Sequence, residues 1–517
     1  MEVTLSRWRA FGALTVLVLA GRLSYLFIGY AADPTRSTRP QVETSTLLFV
    51  LAGLGLRAAT ASQVSPERTT QIPLRLVLLP IMCATALALY WPAVHIGYLS
   101  DDFILEQQAA SWQFGSVAPQ LFRPVPLAVW SLLLHAGGGA VSLHLFNILL
   151  HGANAFLTAC VVRAWTPGRW WPTLAGLLVL TSPLAPEAVA WGAGVFDVMS
   201  TTFVLLAVLI ARRYEIQPSL GNRLLLWSLC AGALLSKETA AITPILIALD
   251  GWMRGSITKR LMNDLIFIGV AVVFFGAARL YSNPWPMTPP VSKYRLQRVL
   301  FDSFGTMANP WHLDLFPSPL AISLFSGLSA LSLLTTFFLI AGSARRTKTI
   351  IAAGLWILAS LIPVVPLFYV SAALEGSRYL YLGMVGWAAG LLIAASDVGD
   401  ARPRFRTVTV PIVILTIALA AFGARRHLRP WVEASTVRDL VLTAASRNQQ
   451  MHACEVLSVG GLPQTVRGGY VFSNGAREAF AEVGLNAYVR DGTGPCAFTW
   501  NSSTSGFEPA AARIQGR

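Results

Sequence analysis

The sequence predicts an all-α polytopic membrane protein with a small extracytoplasmic α/β domain at its C-terminus. Of the 517 positions, 54% are hydrophobic and only 12% are charged, against about 25% charged in an ordinary soluble domain. The apolar residues come in long blocks rather than alternating with charge. Blocks of about 20 such residues are what a hydrocarbon core of about 30 Å demands. Beyond about residue 425 the pattern gives way to a Gly- and Ser-rich, moderately polar stretch. These features exclude disorder, a coiled coil and a small disulfide scaffold, and they argue against a soluble enzyme.

The blocks fall near 9–30, 44–61, 75–95, 141–164, 170–185, 196–213, 222–236, 239–252, 262–281, 319–342, 350–370, 379–396 and 407–424, which makes about thirteen candidate helices. The first follows Arg7 and Arg9 as a signal peptide would, but it is too long for an h-region and lacks an A-x-A site. It reads as a helix. Residues 1–74 then form an N-terminal transmembrane hairpin with its loop, 75–424 the main membrane domain, and 425–517 the C-terminal domain.

The net charge is +14, and Lys237, Lys259, Lys293 and Lys348 are the lysines; all other basic residues are arginines. They gather at block ends, as cytoplasmic anchors do, and form no nucleic-acid patch. Arg163 and Arg169, Arg212 and Arg213, Arg254 with Lys259 and Arg260, Arg345 with Arg346 and Lys348, and Arg402 with Arg404 and Arg406 fall on one side. That side is expected to be cytoplasmic. The opposite side holds 96–140, 186–195, 237–238, 282–318, 371–378 and the tail. Arg425, Arg426 and Arg429, at the start of the tail, run against the rule. The cysteines show no zinc spacing; Cys83, Cys160 and Cys230 lie in apolar runs, while Cys454 and Cys496, in an exported tail, are expected to pair.

The outer loops carry the chemistry. GYLSDDFILEQ places Asp101 and Asp102 at the outer boundary, where two carboxylates are costly unless solvated or used. Neighbours do not share a helix face, so one is read as a general base for a hydroxyl, with Asp102 favoured, and the other as a support or a cation ligand. The non-catalytic alternative is a helix cap at Asp102. Arg123 in FRPVPLAVW offers a guanidinium for a phosphate, or simply snorkels. His144, Asn147, His151 and Asn154 recur on one helix face; interhelical hydrogen bonding is the favoured reading, with His151 kept as a substrate-binding candidate. Glu187 and Asp197 bracket an outer turn around Trp191. Lys237 and Glu238 either serve an anion or neutralise each other, and Glu375 and Arg378 sit just before Tyr379 and Tyr381. Asp101, Asp102, Arg123, Glu187, Lys237, Glu238, Glu375 and Arg378 are far apart in sequence yet map to one membrane face. Carboxylates with Arg and Lys at such a boundary suit a lipid-linked anionic donor and a hydroxyl acceptor.

The ordered series DDF, RP, HLFNILLHGANAFL, PEAVAWGAG, FD, LLSKETA and EGSRYLYL, from about 75 to 396, resembles the membrane half of polytopic GT-C glycosyltransferases. It is most similar to the transmembrane O-mannosyltransferases that carry tetratricopeptide repeats, and to their bacterial relatives. Two departures stand out: Val195 and Phe196 occupy the turn where that family has an Arg, and the repeat array is replaced by the tail. The resemblance implies a GT-C-like fold and inverting transfer of a sugar, mannose among the candidates, from a polyprenyl-phosphate carrier to a protein or glycan hydroxyl. It implies that the acidic first-loop motif is Asp101 and Asp102, and that Arg123, Lys237 and Arg378 serve the donor phosphate. A divalent cation is left open; if one binds, Asp101 or Asp102 would hold it. The Arg-over-Lys bias and short loops point to a bacterial cytoplasmic membrane. A membrane glycan polymerase, a lipid or sugar transporter, and a non-catalytic scaffold remain the competing classes; a transporter would call for mid-membrane charges and an internal repeat.

Overall fold

A computed structural model describes residues 72–112, 122–166, 170–255, 257–282, 293–308, 310–312, 315, 347–365, 370–401, 403–489 and 495–510. The expected helices at 9–30, 44–61 and 319–342, and residues 283–292 and 316–318 of the 282–318 loop, lie outside these residues.

The chain is mostly helical. In order, the helices are α1 (Ile72–Tyr90), α2 (Asp101–Ala110), α3 (Pro124–His135), α4 (Ala140–Val162), α5 (Trp171–Leu180), α6 (Pro186–Ala190), α7 (Val195–Ile216), α8 (Leu220–Leu234) and α9 (Thr243–Arg254). They continue with α10 (Lys259–Ser282), α11 (Lys293–Ala308), α12 (Thr347–Leu361), α13 (Gly383–Ala401), α14 (Pro403–His427), α15 (Arg429–Arg447), α16 (Gln449–His452) and α17 (Ala476–Glu482). Among the described residues, five segments are long and apolar enough to cross a bilayer: Val77–His95, Ala140–Val162, Gly192–Ile216, Lys259–Ala277 and Thr409–Arg447. Of the ten expected spans that fall on described residues, several are too short to cross a bilayer alone, so the count of thirteen is not confirmed. Blocks such as 170–185 and 222–236 contribute only the 10-residue α5 and the 15-residue α8, about 15 and 22 Å of helix. Turn chemistry stops them early, at Thr181–Ser182–Pro183 and Ser236–Lys237. The 96–140 loop is likewise not all loop, since it contains α2 and α3; Pro124 opens α3, where its missing N–H costs nothing.

α4 is the central helix, packed against α1, α5 and α7. Its face of His144, Asn147, His151 and Asn154 is fully buried. Asn147 donates to the Trp191 carbonyl at 3.3 Å, and Asn154 donates to the Val198 carbonyl at 2.9 Å. Asn147, His151 and Asn154 form hydrogen bonds to neighbouring segments, the reading that the spacing favoured. Polar residues at the two ends of the bundle form separate clusters. At the Val161 end, Arg212 pairs with Asp250 at 2.5 Å, Arg254 with Glu215 at 2.6 Å, and Arg212 donates to the Val161 carbonyl at 2.8 Å. Asn147, at the other end, is 14 residues away along α4, or about 21 Å.

The tail folds as a small α/β unit, as expected. β1 (Leu457–Gly460), β4 (Ala487–Val489), β5 (Ala497–Asn501) and β6 (Gly506–Pro509) form a sheet in the order β4-β1-β5-β6. β1 is parallel to β4 and β5, and β6 closes the edge antiparallel. A separate hairpin joins β2 (Thr465–Val466) to β3 (Gly469–Tyr470). Its turn has positive φ at both Arg467 and Gly468, the two-residue geometry that matches strand twist. Cys454 and Cys496 form a disulfide, as expected. α15 lies over the 97–102 segment, where Gly97 donates to Ser435 Oγ and Arg438 to the Tyr98 carbonyl.

Candidate functional site

The site is built at the Asn147 end of α4, where the loops before α2, α7, α9 and α13 meet the tail. Asp102 is fully buried. Its Oδ2 accepts the Leu99 N–H at 3.0 Å and its Oδ1 accepts the Ala193 N–H at 2.7 Å. The carboxyl thus ties the first loop to the Trp191–Gly194 turn, and the Trp191 indole answers by donating to the Leu99 carbonyl at 3.1 Å. Gly192 is required here: a Cβ would sit 2.8 Å from the Asp102 carboxyl. Burial pushes Asp102 up to about 8, against the pull of the Leu99 and Ala193 N–H groups and helped by the Asp101 charge.

Asp101 is half-buried, and among the described residues no hydrogen bond or ion pair engages its carboxylate. The residue before it, Ser100, holds a positive φ of 52°, a conformation that costs on the order of 1–3 kcal/mol outside glycine. The tail maintains it: Ser100 donates its N–H to the Val471 carbonyl at 2.9 Å, and its Oγ accepts the Asn474 N–H at 3.1 Å. The sequence favoured Asp102 as the base and allowed it a capping role. The geometry makes Asp102 the fastener of the turn and leaves Asp101 the accessible carboxylate, because only one of two neighbours can face inward.

Three cations gather beside this loop, each with its own carboxylate. Arg378 pairs with Glu187 at 2.9 Å. Lys237 pairs with Asp197. Arg123 pairs with Glu238 at 2.8 Å. Of the two readings of Lys237 and Glu238, mutual neutralisation is not the observed geometry: Lys237 turns to Asp197 and Glu238 to Arg123, with an extended backbone at Lys237 (φ −162°, ψ 145°). Aromatic rings join the set. Lys237 and Arg378 lie over the same ring, Tyr379, at 5.4 and 5.2 Å, and Arg123 lies over Phe196 at 5.1 Å. Arg123 therefore covers the turn that carries Phe196. Burial pulls the Lys237 ammonium down to about 8; Asp197 opposes that fall, while Arg123 and Arg378 add to it. Burial works most strongly against the Arg378 charge, but Glu187, together with Tyr379, Tyr470 and Asp197, raises the guanidinium's pKa.

Glu187 is a keystone rather than a ligand. It accepts from Ser377 Oγ, the Arg378 N–H, Arg378 Nη1 and the Tyr470 hydroxyl, at 3.0, 3.0, 2.9 and 3.0 Å. Behind it lies a cavity of about 20 Å³, room for roughly one water. His151 is removed from the substrate-binding set: it is fully buried, with Nδ1 on the Tyr381 hydroxyl at 2.6 Å and Nε2 on the Leu180 carbonyl at 3.0 Å. Both ring nitrogens are spent on helix packing. Glu375 is half-buried in the loop before Arg378, and among the described residues its carboxylate has no partner. No three His, Cys, Asp or Glu side chains among the described residues converge as a metal set.

The sequence left Asp197 out of the site set and missed two aromatic residues of the tail. Asp197 was visible as an outer-turn carboxylate, and a buried Lys237 required a counter-charge of this kind. Tyr470 and Trp431 come from the tail: Tyr470 packs on Trp191 at 4.9 Å, Trp431 stacks on Trp191 at 6.2 Å, and Arg378 lies over Trp191 at 4.5 Å. Nothing in the tail's composition marked them.

Fold and site together define a membrane protein whose loops gather cations and carboxylates at one end of a helix bundle. No protein-family model matches the chain. Over 125 residues it is 38% identical to "Protein O-mannosyl-transferase Tmtc1" of Drosophila melanogaster, covering 24% of this chain and 14% of that protein. Over 130 residues it is 32% identical to "Protein O-mannosyl-transferase TMTC2" of Mus musculus, covering 24% of this chain and 16% of that protein. The matches span less than a fifth of each relative's length, and they support a relationship to glycosyltransferases of this kind.

Proposed function

We propose that the chain is an integral-membrane glycosyltransferase that moves a sugar from a polyprenyl-phosphate carrier to an acceptor hydroxyl on the extracytoplasmic face. The observation that carries this reading is the gathering of Arg123, Lys237 and Arg378 beside the Asp101–Asp102 loop. Each cation keeps N–H donors beyond those spent on its carboxylate, so the cluster can accept a phosphate without dismantling its ion pairs. Asp101 takes the proton of the acceptor hydroxyl as its oxygen attacks the anomeric carbon. The bond between that carbon and the phosphate oxygen breaks, and the polyprenyl phosphate leaves with the electron pair. The developing charge falls to the cations, already oriented by Glu187, Asp197 and Glu238. Asp102 and Ser100 position Asp101 and take no part in the proton transfer.

The disulfide and the opposite-end Arg212–Asp250–Arg254 cluster support an extracytoplasmic site. The domain division at about 75 and 425 goes with this reading, except that the tail's hairpin is part of the site. The test is reconstitution of the full chain in vesicles with synthetic polyprenyl-phosphate sugars, mannose first, and acceptor-bearing membranes. Mass spectrometry is expected to find the sugar on the acceptor and polyprenyl phosphate released in equal amount. Transfer from nucleotide sugars alone would contradict the proposal.

A further inference from the structure

The reversed arginines at 425, 426 and 429 have no part in sugar transfer, yet the fold builds them into a groove. It has a volume of about 520 Å³ and lies between the end of α1 and the junction of α14 with α15. Arg425, Arg426 and Arg429 line it together with the apolar Pro92, Phe422 and Val432. Arg425 is pinned by a 2.9 Å hydrogen bond from Nη1 to the Leu89 carbonyl. Arg426 is laid over the Phe422 ring at 5.2 Å. Among the described residues no carboxylate forms an ion pair with any of the three; Glu433 also lines the groove, and it pairs with Arg467 at 3.5 Å.

The position sets the depth. Ile412, Ile414, Leu415 and Phe422 are 40 to 54% exposed on α14, as a lipid-facing surface must be. Arg425 stands ten residues beyond Leu415, about 15 Å up the helix. The arginines thus ring a groove whose apolar wall continues down the lipid-facing side. Arginines that merely snorkel extend into water; here two are fixed by a carbonyl and a ring, and three arginines face a single lining carboxylate, Glu433, leaving a held excess of positive charge.

We propose that this groove binds the headgroup phosphate of an anionic phospholipid of the surrounding bilayer, with the acyl chains lying along the exposed face of α14. The bound lipid supplies the counter-charge that Glu433 alone does not provide, and it anchors the tail's first helix at the boundary. This proposal stands apart from the sugar-transfer reading.

The test is native mass spectrometry of the purified full chain after exposure to phosphatidylglycerol, phosphatidylcholine or polyprenyl phosphate. A basic residue near an anionic headgroup contributes about 1 kcal/mol, or roughly fivefold in affinity. The wild type is expected to retain phosphatidylglycerol at least about tenfold over phosphatidylcholine. Arg429→Gln, at an exposed helix position, is expected to lower retention about fivefold, and the triple Gln variant by on the order of a hundredfold. Arg477→Gln, in the tail, is expected to change nothing, and circular dichroism checks that each variant is folded. Equal retention of the two phospholipids, undiminished retention in folded Arg429→Gln and triple variants, or preference for polyprenyl phosphate over phosphatidylglycerol would each overturn the proposal.

Discussion

Replacing Glu187 with Gln probes how the tail is joined to the site. The carboxylate is 2% exposed and its partner Arg378 19%. Removing one member of a buried ion pair costs about 3–5 kcal/mol because the other charge is left uncompensated. The residual exposure of Arg378 places the loss near the lower end, about 3 kcal/mol. Tyr470→Phe removes one hydrogen bond to a charged acceptor, about 1.5 kcal/mol, since Ser377 and Arg378 still satisfy Glu187. The two changes act on one carboxylate, so they should not add. With the charge gone, the Tyr470 hydroxyl faces a neutral amide, and the double variant is expected to fall short of the sum by about 1 kcal/mol. The assay is unfolding in mixed micelles with increasing denaturing detergent, followed by tryptophan fluorescence, for the wild type, both single variants and the double. Additive losses would show that Tyr470 and Glu187 do not act together and would refute the keystone role.

Arg378→Lys keeps the charge but loses the planar fork stacked between Trp191 and Tyr379; the KM for the lipid-linked donor is expected to rise several-fold, more than kcat falls, in initial-rate measurements. Asp102 has a pKa of about 8 in the folded chain, above the unfolded value of about 3.9. The native state therefore binds more protons between these values, and the stability that this group contributes is fully present below pH 4 and lost as pH rises through 8. Unfolding midpoints from pH 5 to 9 are expected to decline less steeply in Asp102→Asn than in the wild type. Thiol labelling of Cys454 and Cys496 in the unfolded chain is expected only after reduction; labelling without reductant would contradict the disulfide.

Much of the fold was legible because membrane insertion writes itself in composition. Apolar blocks marked α4, α7 and α14, and arginines at block ends sorted Arg212 and Arg254 to one end of the bundle. Helix length was less legible, since hydropathy does not register where Ser182–Pro183 or Ser236–Lys237 stops a helix. The charges were legible as candidates, and Arg123, Glu187, Lys237, Glu238 and Arg378, distant in sequence, do form neighbouring ion pairs. Pairing was not, because it depends on backbone direction within short turns. Lys237 turned to Asp197 rather than to its neighbour, and Asp102 rather than Asp101 turned inward. His151 was overvalued, since a polar stripe shows a buried face without showing that each ring nitrogen already has a partner. Tyr470 was invisible, because its role exists only through the docking of a polar tail onto the helix bundle.

The central claim is that Asp101 removes the acceptor proton while Asp102 fastens the loop. Transfer from a synthetic polyprenyl-phosphate sugar by folded Asp101→Asn and Asp102→Asn chains, with unfolding followed in parallel, tests it most directly. Asp101→Asn is expected to lose roughly 10²-fold or more in rate with little change in stability. Asp102→Asn is expected to alter stability and its pH dependence while retaining more activity than Asp101→Asn. Near-wild-type transfer by Asp101→Asn would contradict the account and move the base elsewhere.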